Sequence, residues 1–194
     1  DLTTVTPLGR NEDYRNVKPT NTDDPFVLLP INHGNRRKNI PTILRTIRRT
    51  PDIRYLLCGN GWGDVDAEHL PPNANRLGWI AEDDLIHHYN RATAVYLPTL
   101  FEGFGLPYVE AMGCGTALLV SEIPAAREVC GDAAIYLSDP KDPAEHADCI
   151  RHLVDDEDYR HEKEHEGERV AARYSWTRTA EQYVKLYADL LGDK

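Results

Sequence analysis

Several patterns that would indicate disulfide, metal or membrane chemistry are missing from this sequence. Its four cysteines form no C-x-x-C pair, the spacing typical of redox and metal sites. No apolar run approaches the roughly 18 residues of a membrane-spanning helix. At 194 residues the chain is long enough to build a hydrophobic core without disulfides. We therefore expect a cytoplasmic protein with buried thiols at Cys58, Cys114, Cys130 and Cys149.

Basic residues are also few. The sequence has 22 Lys and Arg against 32 Asp and Glu, which gives a formal net charge of -10. A field of this sign repels phosphates, so the composition argues against a nucleic-acid partner and against an anionic membrane surface. The only methionine is Met112, and we expect the opening residues 1–14 to continue a longer chain.

Strand-like and helix-like segments alternate along the chain. Short apolar runs, bounded by proline, glycine or asparagine, are followed by segments of helical periodicity. This alternation predicts an α/β fold of the Rossmann-like, doubly wound type, in which helices cover both faces of a parallel sheet. No linker or repeat divides residues 1–194, so we predict one domain. The predicted strands are 26–31, 53–58, 75–80, 94–98, 116–121 and 133–138.

Helix signals stand between and after these strands. Asn39 is a predicted cap with Pro41 in the first turn, and residues 81–92 have helical periodicity. Asp142 and Glu145 resemble a capping box for a later helix.

The last third of the chain is predicted to be helical. The charge run 155–169 indicates a solvated helix face and nothing more. Residues 175–191 carry an apolar stripe, which requires a surface to cover it. The stripe consists of Trp176, Ala180, Tyr183, Val184, Tyr187, Leu190 and Leu191.

The segment "FEGFGLPYVEAMGCG", residues 101–115, has the pattern of a ligand-binding loop and helix. Gly103 and Gly105 allow a sharp turn or a close approach of the backbone to a ligand. The helix that follows begins with unpaired amides and a partial positive charge, which favour a phosphate. The N–H groups offered to that phosphate belong to Phe104, Gly105 and Leu106.

Two glutamates flank this phosphate position. Glu110 follows Leu106 by four residues, and helical side chains lean toward the N-terminus, so its carboxylate points to a sugar diol beside the phosphate. Glu102 faces the same crevice from the loop, where a carboxylate can bind hydroxyls and stabilise developing positive charge. The spacing therefore indicates a nucleotide sugar, with one acid for each sugar. The alternative is a glycine-rich turn with a glutamate that only favours the helix dipole.

The ligand crevice of a parallel sheet lies beyond the carboxyl ends of its strands. The loops at 32–38, 59–63 and 99–105 are therefore expected to surround one site.

Two weaker sequence motifs lie near these loops. The "DVD" at 64–66 has the form of a metal-binding D-x-D but is interpreted as acidic surface. "GNGWGD" at 59–64 fails the dinucleotide pattern at its last position.

The sequence resembles the retaining glycosyltransferases of family 4, which have the GT-B fold. "PTLFEGFGLPYVEAMGCGTALLVS" resembles the family signature, and Glu102 and Glu110 match both ends of its E-x7-E motif. "VTPLGRNEDY" resembles the linker and first strand of the family's C-terminal domain. "RRKNIPTIL", "RLGWIAEDDLIHHYNRATAVYLPTL" and "YSWTRTAEQYVKLYADLL" resemble its later segments, so the resemblance covers residues 4 to 191.

The resemblance implies a donor-binding domain for a nucleoside-diphosphate sugar. Lys38 matches the lysine that contacts the diphosphate, and the backbone near Ile80 matches the nucleobase contact. Gly59 belongs to a second glycine loop near the diphosphate. Glu110 matches the ribose-binding acid and Glu102 the acid at the donor sugar. The residues that match the phosphate-binding amides are Phe104, Gly105 and Leu106.

One departure from the family concerns a catalytic cation. The family has Gly-Arg five residues before its lysine, and this sequence has Asn32 and His33 there. The arginine assists the departing diphosphate, and His33 does so only when protonated, with an unperturbed pKa of about 6.5. Arg36 and Arg37 are alternative sources of the charge.

The resemblance also implies a division of labour between two domains. Residues 1–194 are expected to bind the donor, and an acceptor-binding domain is expected to precede them. In this family the last helix, here 175–191, crosses back to that domain. The fragment alone is then expected to transfer no sugar, and no metal, other cofactor or direct membrane contact is expected. The alternative is a non-catalytic module that binds a nucleotide sugar or docks on a partner.

Overall fold

The computed structural model describes residues 4–17, 24–32, 34–63 and 65–192. Six strands form one sheet, and every pair of neighbouring strands is parallel. The strands are β1 (Phe26–Pro30), β2 (Arg54–Cys58), β3 (Ala74–Gly78), β4 (Ala94–Leu97), β5 (Ala117–Ser121) and β6 (Ile135–Leu137).

Helices follow the strands along the chain, as the alternating pattern predicted. Short 3-10 turns at Arg36–Lys38 and Asn60–Trp62 lie in the loops after β1 and β2. The helices of the described residues are α1 (Ile40–Arg49), α2 (Glu82–Arg91), α3 (Leu106–Gly113), α4 (Pro124–Cys130), α5 (Pro143–Asp155), α6 (Glu157–Ala171) and α7 (Trp176–Leu191).

Burial explains why these runs form strands. Every residue of β1, β4 and β5 is buried. Helices cover both faces of these central strands, so apolar residues do not alternate with polar ones along them. β3 lies at one edge of the sheet, and two of its five residues are exposed. The predicted Rossmann-like α/β class is therefore confirmed, and all six predicted strands are present.

The order of the strands fixes where a ligand crevice forms. The order β3-β2-β1-β4-β5-β6 reverses direction between β1 and β4. In doubly wound sheets ligands bind outside the carboxyl ends of the strands at this switch point, because the two loops there diverge to opposite faces. The loops that leave β1 and β4 therefore border the expected site.

Two local predictions about caps need correction. Asn39 stands at the start of α1 with a φ of 60°, but its side chain does not cap the helix. Its amide instead donates to the carbonyls of Pro98 and Pro140. Asp142 caps α5 as predicted, through its carboxylate and the N–H of Ala144. Glu145 accepts from the N–H groups of Ser138 and Asp139 (2.7 and 2.9 Å), and so holds the loop before α5 rather than closing a box.

Two predictions about longer segments were also wrong. The charge run belongs to α6, which is not only a solvated face: Glu164 and Gly167 are buried, and a Cβ on Gly167 would lie 3.2 Å from Met112. Helix α6 therefore packs on α3, which carries the E-x7-E segment. The first strand expected near residues 5–14 is reduced to an isolated bridge between Arg10 and Ser175 among the described residues.

Three of the four cysteines are buried as expected, and the last helix carries the predicted apolar stripe. Cys58, Cys114 and Cys130 are buried thiols and Cys149 is half-buried. In α7 the side chains of Val184 and Leu190 are 68% and 72% exposed, so the apolar stripe is uncovered. Among the described residues, no helix has both the length and the apolar character that a bilayer crossing requires.

Candidate functional site

The loops that leave β1 and β4 are joined to each other at the switch point. The N–H of Leu100 donates to the carbonyl of Arg37 (2.7 Å), and the amide of Asn39 donates to the carbonyl of Pro98 (3.0 Å). These bonds cross between the two loops, so they fix the basic turn Arg36–Lys38 beside the loop that carries Glu102. The positions of the charged side chains are thus set by backbone contacts.

Lys38 and Glu102 form an ion pair at this junction. Lys38 Nζ lies 2.5 Å from Glu102 Oε1, and each side chain is only 12% exposed. Arg37 lies 3.7 Å from the other carboxylate oxygen and is 42% exposed. Charge-assisted contacts of this kind are short and strong when water is largely excluded. The site therefore offers two cations and one carboxylate, and Arg37 is the more accessible cation.

The start of α3 is an open group of backbone donors. Gly105 precedes the helix with a φ of 91°, and no side chain caps the first amides. A Cβ on Gly105 would lie 2.4 Å from the ring of Tyr108, so glycine is required there by conformation and by space. Leu106 is 37% exposed, and a Cβ on Gly103 would meet nothing within 4 Å. The exposed flanking residues Gly103 and Leu106 leave this helix end accessible from solvent, although Gly105 itself is buried.

The side chains of Tyr108 and Phe104 hold this loop against the rest of the protein. Tyr108 is buried, and its hydroxyl lies 3.1 Å from Thr99 Oγ1, which ties the first turn of α3 to the residues after β4. Phe104 packs edge-on against Tyr174, with the ring centroids 5.5 Å apart. The side chain of Phe104 thus points to the protein, which leaves its N–H as the group that a ligand can use.

Glu110 is a half-buried acid in the body of α3. Its Oε2 accepts a hydrogen bond from the hydroxyl of Tyr89 at 3.1 Å. Burial raises the pKa of Glu110 to about 7, the Tyr89 hydrogen bond opposes that rise, and the charge of Glu82 adds to it. The two glutamates of the motif therefore have opposite environments. Glu102 is paired with cations, whereas Glu110 accepts from the phenol of Tyr89 and lies near the acid Glu82.

A cavity of about 180 Å³ opens at the carboxyl ends of β1, β2 and β3. Tyr14 lines it and packs against Tyr89, whose hydroxyl donates to Glu110, so Glu110 lies near the cavity without lining it. Gly59 has a φ of 91°, and a Cβ there would lie 2.5 Å from the carbonyl oxygen of Ile31. The remaining lining includes Asn32, Trp79, Ile80 and Glu82.

The sequence-predicted residues are therefore found in two adjoining groups. Lys38, Arg37 and Glu102 lie together, and Gly59 lines one cavity with Ile80. Gly103, Phe104, Gly105, Leu106 and Glu110 lie on the loop and helix between the two groups. His33 and Asp64 lie outside the described residues.

Sequence reasoning missed Tyr14 and Tyr89, which surround Glu110. Tyr89 occupies the last turn of α2 and Tyr14 the segment before β1, and their rings meet edge-on at 5.7 Å. Neither belongs to a motif, and a tyrosine on a helix is ordinarily interpreted as core. Trp62 is buried, whereas Trp79 lines the cavity with 71% of its surface exposed.

Comparison with known proteins identifies relatives of this chain. It is 32% identical to the O-antigen chain mannosyltransferase B of Escherichia coli over 163 residues, which are 78% of this chain and 42% of that protein. It is 33% identical to the D-inositol 3-phosphate glycosyltransferase of Corynebacterium urealyticum over 158 residues, 74% of this chain and 37% of that protein. The chain thus spans less than half the length of these curated relatives.

Solved structures have the same fold. The sucrose-phosphate synthase of Thermosynechococcus elongatus superposes with a TM-score of 0.85 at 23% identity, covering 99% of this chain and 53% of that one. An Anabaena protein crystallised with UDP and glucose superposes with a TM-score of 0.80 at 17% identity, covering 93% of this chain and 55% of that one. At these identities the likeness concerns the fold, and it agrees with the expected half of a GT-B fold.

A match to a protein family assigns the chain to that family. Residues 11–170, which include the E-x7-E segment and both groups of the candidate site, match the family described as glycosyl transferases group 1. This range is most of the 194-residue sequence. The chain therefore belongs to the glycosyl transferases group 1 family.

Proposed function

We propose that this chain is the donor-binding domain of a retaining glycosyltransferase of family 4, which takes a sugar from a nucleoside diphosphate. The observation that carries the proposal is the meeting of Lys38, Glu102 and the uncapped start of α3 at the switch point of the sheet. Cations and free amides fit a diphosphate, and a carboxylate beside them fits a sugar. Gly103 and Gly105, which precede the first turn of α3, belong to the E-x7-E segment.

The diphosphate binds between the basic turn and α3 in this proposal. The amides of Phe104, Gly105 and Leu106 donate to its oxygens, and Lys38 exchanges its ion pair with Glu102 for one with the phosphate. This exchange replaces one buried charge contact by another, so Lys38 is never left unpaired. Glu102 then turns to the donor sugar.

The nucleoside occupies the cavity beside Tyr14. Glu110 accepts hydrogen bonds from the ribose hydroxyls, which are neutral and suit a carboxylate that no cation among the described residues neutralises. The base contacts the backbone near Ile80 and Gly59, both of which line the cavity. The exposed ring of Trp79 is available to stack on the base.

Transfer depends on charge stabilisation in this proposal. Positive charge that develops on the donor sugar is stabilised by Glu102, and negative charge on the departing diphosphate by Lys38 and a second cation. Arg37 is our candidate for that cation, because its guanidinium lies 3.7 Å from Glu102. His33 remains the alternative, and no metal or other cofactor takes part. Full activity in excess EDTA is the expected result, and its loss would oppose a metal-free reaction.

The acceptor domain is expected to cover the apolar stripe of α7. Val184, Tyr187 and Leu190 are 57 to 72% exposed, which is unfavourable for a helix with no partner. Residues 1–194 are then inactive alone, and a chain that contains both domains transfers the sugar in the cytoplasm, where the thiols stay reduced. Sugar transfer by residues 1–194 alone would contradict this division.

Titration with nucleotide sugars tests the proposal. UDP-glucose, GDP-mannose and ADP-glucose are added separately to the isotopically labelled chain, and amide shifts are followed by NMR. Shifts clustered at residues 59, 78–80 and 103–110 are expected for at least one donor. Shifts elsewhere, or none with any of the three at millimolar concentration, would overturn the assignment of the site.

A second candidate function follows from the departure at residues 32 and 33, where Asn-His stands in place of Gly-Arg. A domain without the usual arginine could bind nucleotide sugars without transferring them. Donor hydrolysis by the chain with its acceptor domain separates the two candidates. Binding without any turnover would favour the binding module.

A further inference from the structure

We infer that Tyr89 is a positioning residue of the donor site, whose hydroxyl holds the carboxylate of Glu110 ready to accept the ribose hydroxyls. This inference rests on the proposed function, since it assumes that Glu110 binds ribose. Tyr89 is remote from the E-x7-E segment in sequence and belongs to a different helix. It therefore adds a component of the site that the motif does not contain.

The surroundings of Tyr89 hold its hydroxyl in one place. Its side chain is fully buried, and its hydroxyl donates to Glu110 Oε2 at 3.1 Å. Its own carbonyl accepts a hydrogen bond from Thr116 Oγ1 at 2.6 Å, which anchors the end of α2 to the start of β5. The ring of Tyr14 packs against it edge-on at 75°. A buried phenol fixed on these sides cannot turn toward another acceptor.

The groups that face Glu110 make this hydroxyl electrostatically important. From α2 come Tyr89 and Glu82, and from the segment before β1 comes Tyr14. None of these three residues carries a positive charge. Burial and Glu82 disfavour the ionised carboxylate, and the Tyr89 hydrogen bond favours it. The Tyr89 hydrogen bond thus lowers the pKa of Glu110, whereas burial and Glu82 raise it.

The role in binding follows from what each state of Glu110 can accept. An ionised carboxylate has about four acceptor positions, of which Tyr89 uses one, so the others remain for two ribose hydroxyls. A protonated carboxyl has fewer acceptor positions and adds a donor that competes with those hydroxyls. The Tyr89 hydroxyl therefore favours the state that binds and fixes the direction in which its free lone pairs point.

Tyr89→Phe tests the inference, because it removes the hydroxyl and keeps the ring. We expect the pKa of Glu110, followed by carboxyl-carbon NMR in the ligand-free chain, to rise by about one unit. Affinity for the nucleotide sugar that binds best should then fall about fivefold at pH 7 and less than about twofold at pH 8.5, because high pH restores the ionised state. Nucleotide sugars are suitable probes, since their diphosphate does not titrate in this range.

The control is Tyr55→Phe, which removes another buried phenol hydroxyl, 2.6 Å from Thr50 Oγ1, on strand β2. It should lower stability without changing the pKa of Glu110 or the pH profile of binding. An equal loss of affinity at both pH values in Tyr89→Phe would mean a merely structural role and would overturn the inference. So would an unchanged Glu110 pKa. A raised pKa with no nucleotide sugar bound by the parent chain would instead refute the proposed function on which the inference rests.

Discussion

The buried acid of α3 should destabilise the folded chain at neutral and alkaline pH, and Glu110→Gln should relieve that cost. The change keeps the size of the side chain and removes its charge. The pKa of Glu110 is raised from its ordinary value of 4.5 to about 7, chiefly by burial. The ionised carboxylate is therefore less favourable in the folded chain than in the unfolded one.

The sign and size of the effect follow from this shift. Because the folded pKa is the higher one, the folded state binds the proton more tightly, and stability falls as pH rises from about 4.5 through about 7. A shift of this size corresponds to about 3 kcal/mol, at 1.36 kcal/mol for each pKa unit. The advantage of Glu110→Gln over the parent should thus grow by up to about that amount between pH 5 and pH 8.

Urea unfolding of both proteins at pH 5, 6, 7 and 8 measures this difference, and the comparison cancels every titration that the two share. Glu128→Gln on α4 is the matched control, because it removes an exposed carboxylate of the same kind. A stability difference that stays flat from pH 5 to pH 8 would refute the reasoning. A gain in stability that accompanies a loss of nucleotide affinity would be typical of a residue retained for binding.

Three further predictions concern the other components of the site. Lys38→Ala should weaken binding of the preferred nucleoside diphosphate about tenfold or more in calorimetry, since a charge-assisted hydrogen bond is lost; unchanged affinity would remove Lys38 from the diphosphate site. Glu102→Gln should not weaken that binding, because it frees Lys38 from its 2.5 Å ion pair, although it should stop transfer in a chain with both domains. A several-fold loss of affinity would mean that Glu102 supports the phosphate site. Gly105→Ala should destabilise the chain by more than about 1 kcal/mol, whereas Gly103→Ala, where a Cβ meets nothing within 4 Å, should cost less; equal losses in urea unfolding would contradict the steric argument.

The fold was predictable from sequence because its signals are local and repeated. Apolar runs such as 26–31 and 94–98 predicted central strands, and both are buried throughout in β1 and β4. The prediction that the charge run 155–169 is only a solvated helix face was wrong, because its buried residues are few and form no repeated pattern. The buried residues of α6 are Glu164, Gly167 and Ala171, and Gly167 packs against Met112 of α3, so a small buried face is hidden among many charges.

The site was predictable only as far as its motif extends. The E-x7-E spacing predicted a loop and helix with two acids, and the switch point brings Lys38 to the first of them. Tyr14 and Tyr89 were not predictable, because their contact with α3 depends on how distant segments pack. The sequence left Arg36, Arg37 and His33 as candidates for the second cation at the diphosphate. Only the 3.7 Å distance between Arg37 and Glu102 favours Arg37.

The two acids of the motif differ in the property that their proposed roles require. Glu102 lies beside two cations, and in the proposed function its charge becomes available as Lys38 turns to the phosphate. Among the described residues no cation pairs with Glu110, and in the proposed function a cation there would attract the diphosphate to the wrong end of the nucleotide. Its hydrogen-bond partner is instead a neutral phenol, which favours the ionised state without adding a charge. Seven intervening residues, with a glycine turn among them, are enough to separate these two environments, and in the proposed function this separation lets a nucleotide sugar bind in one direction only.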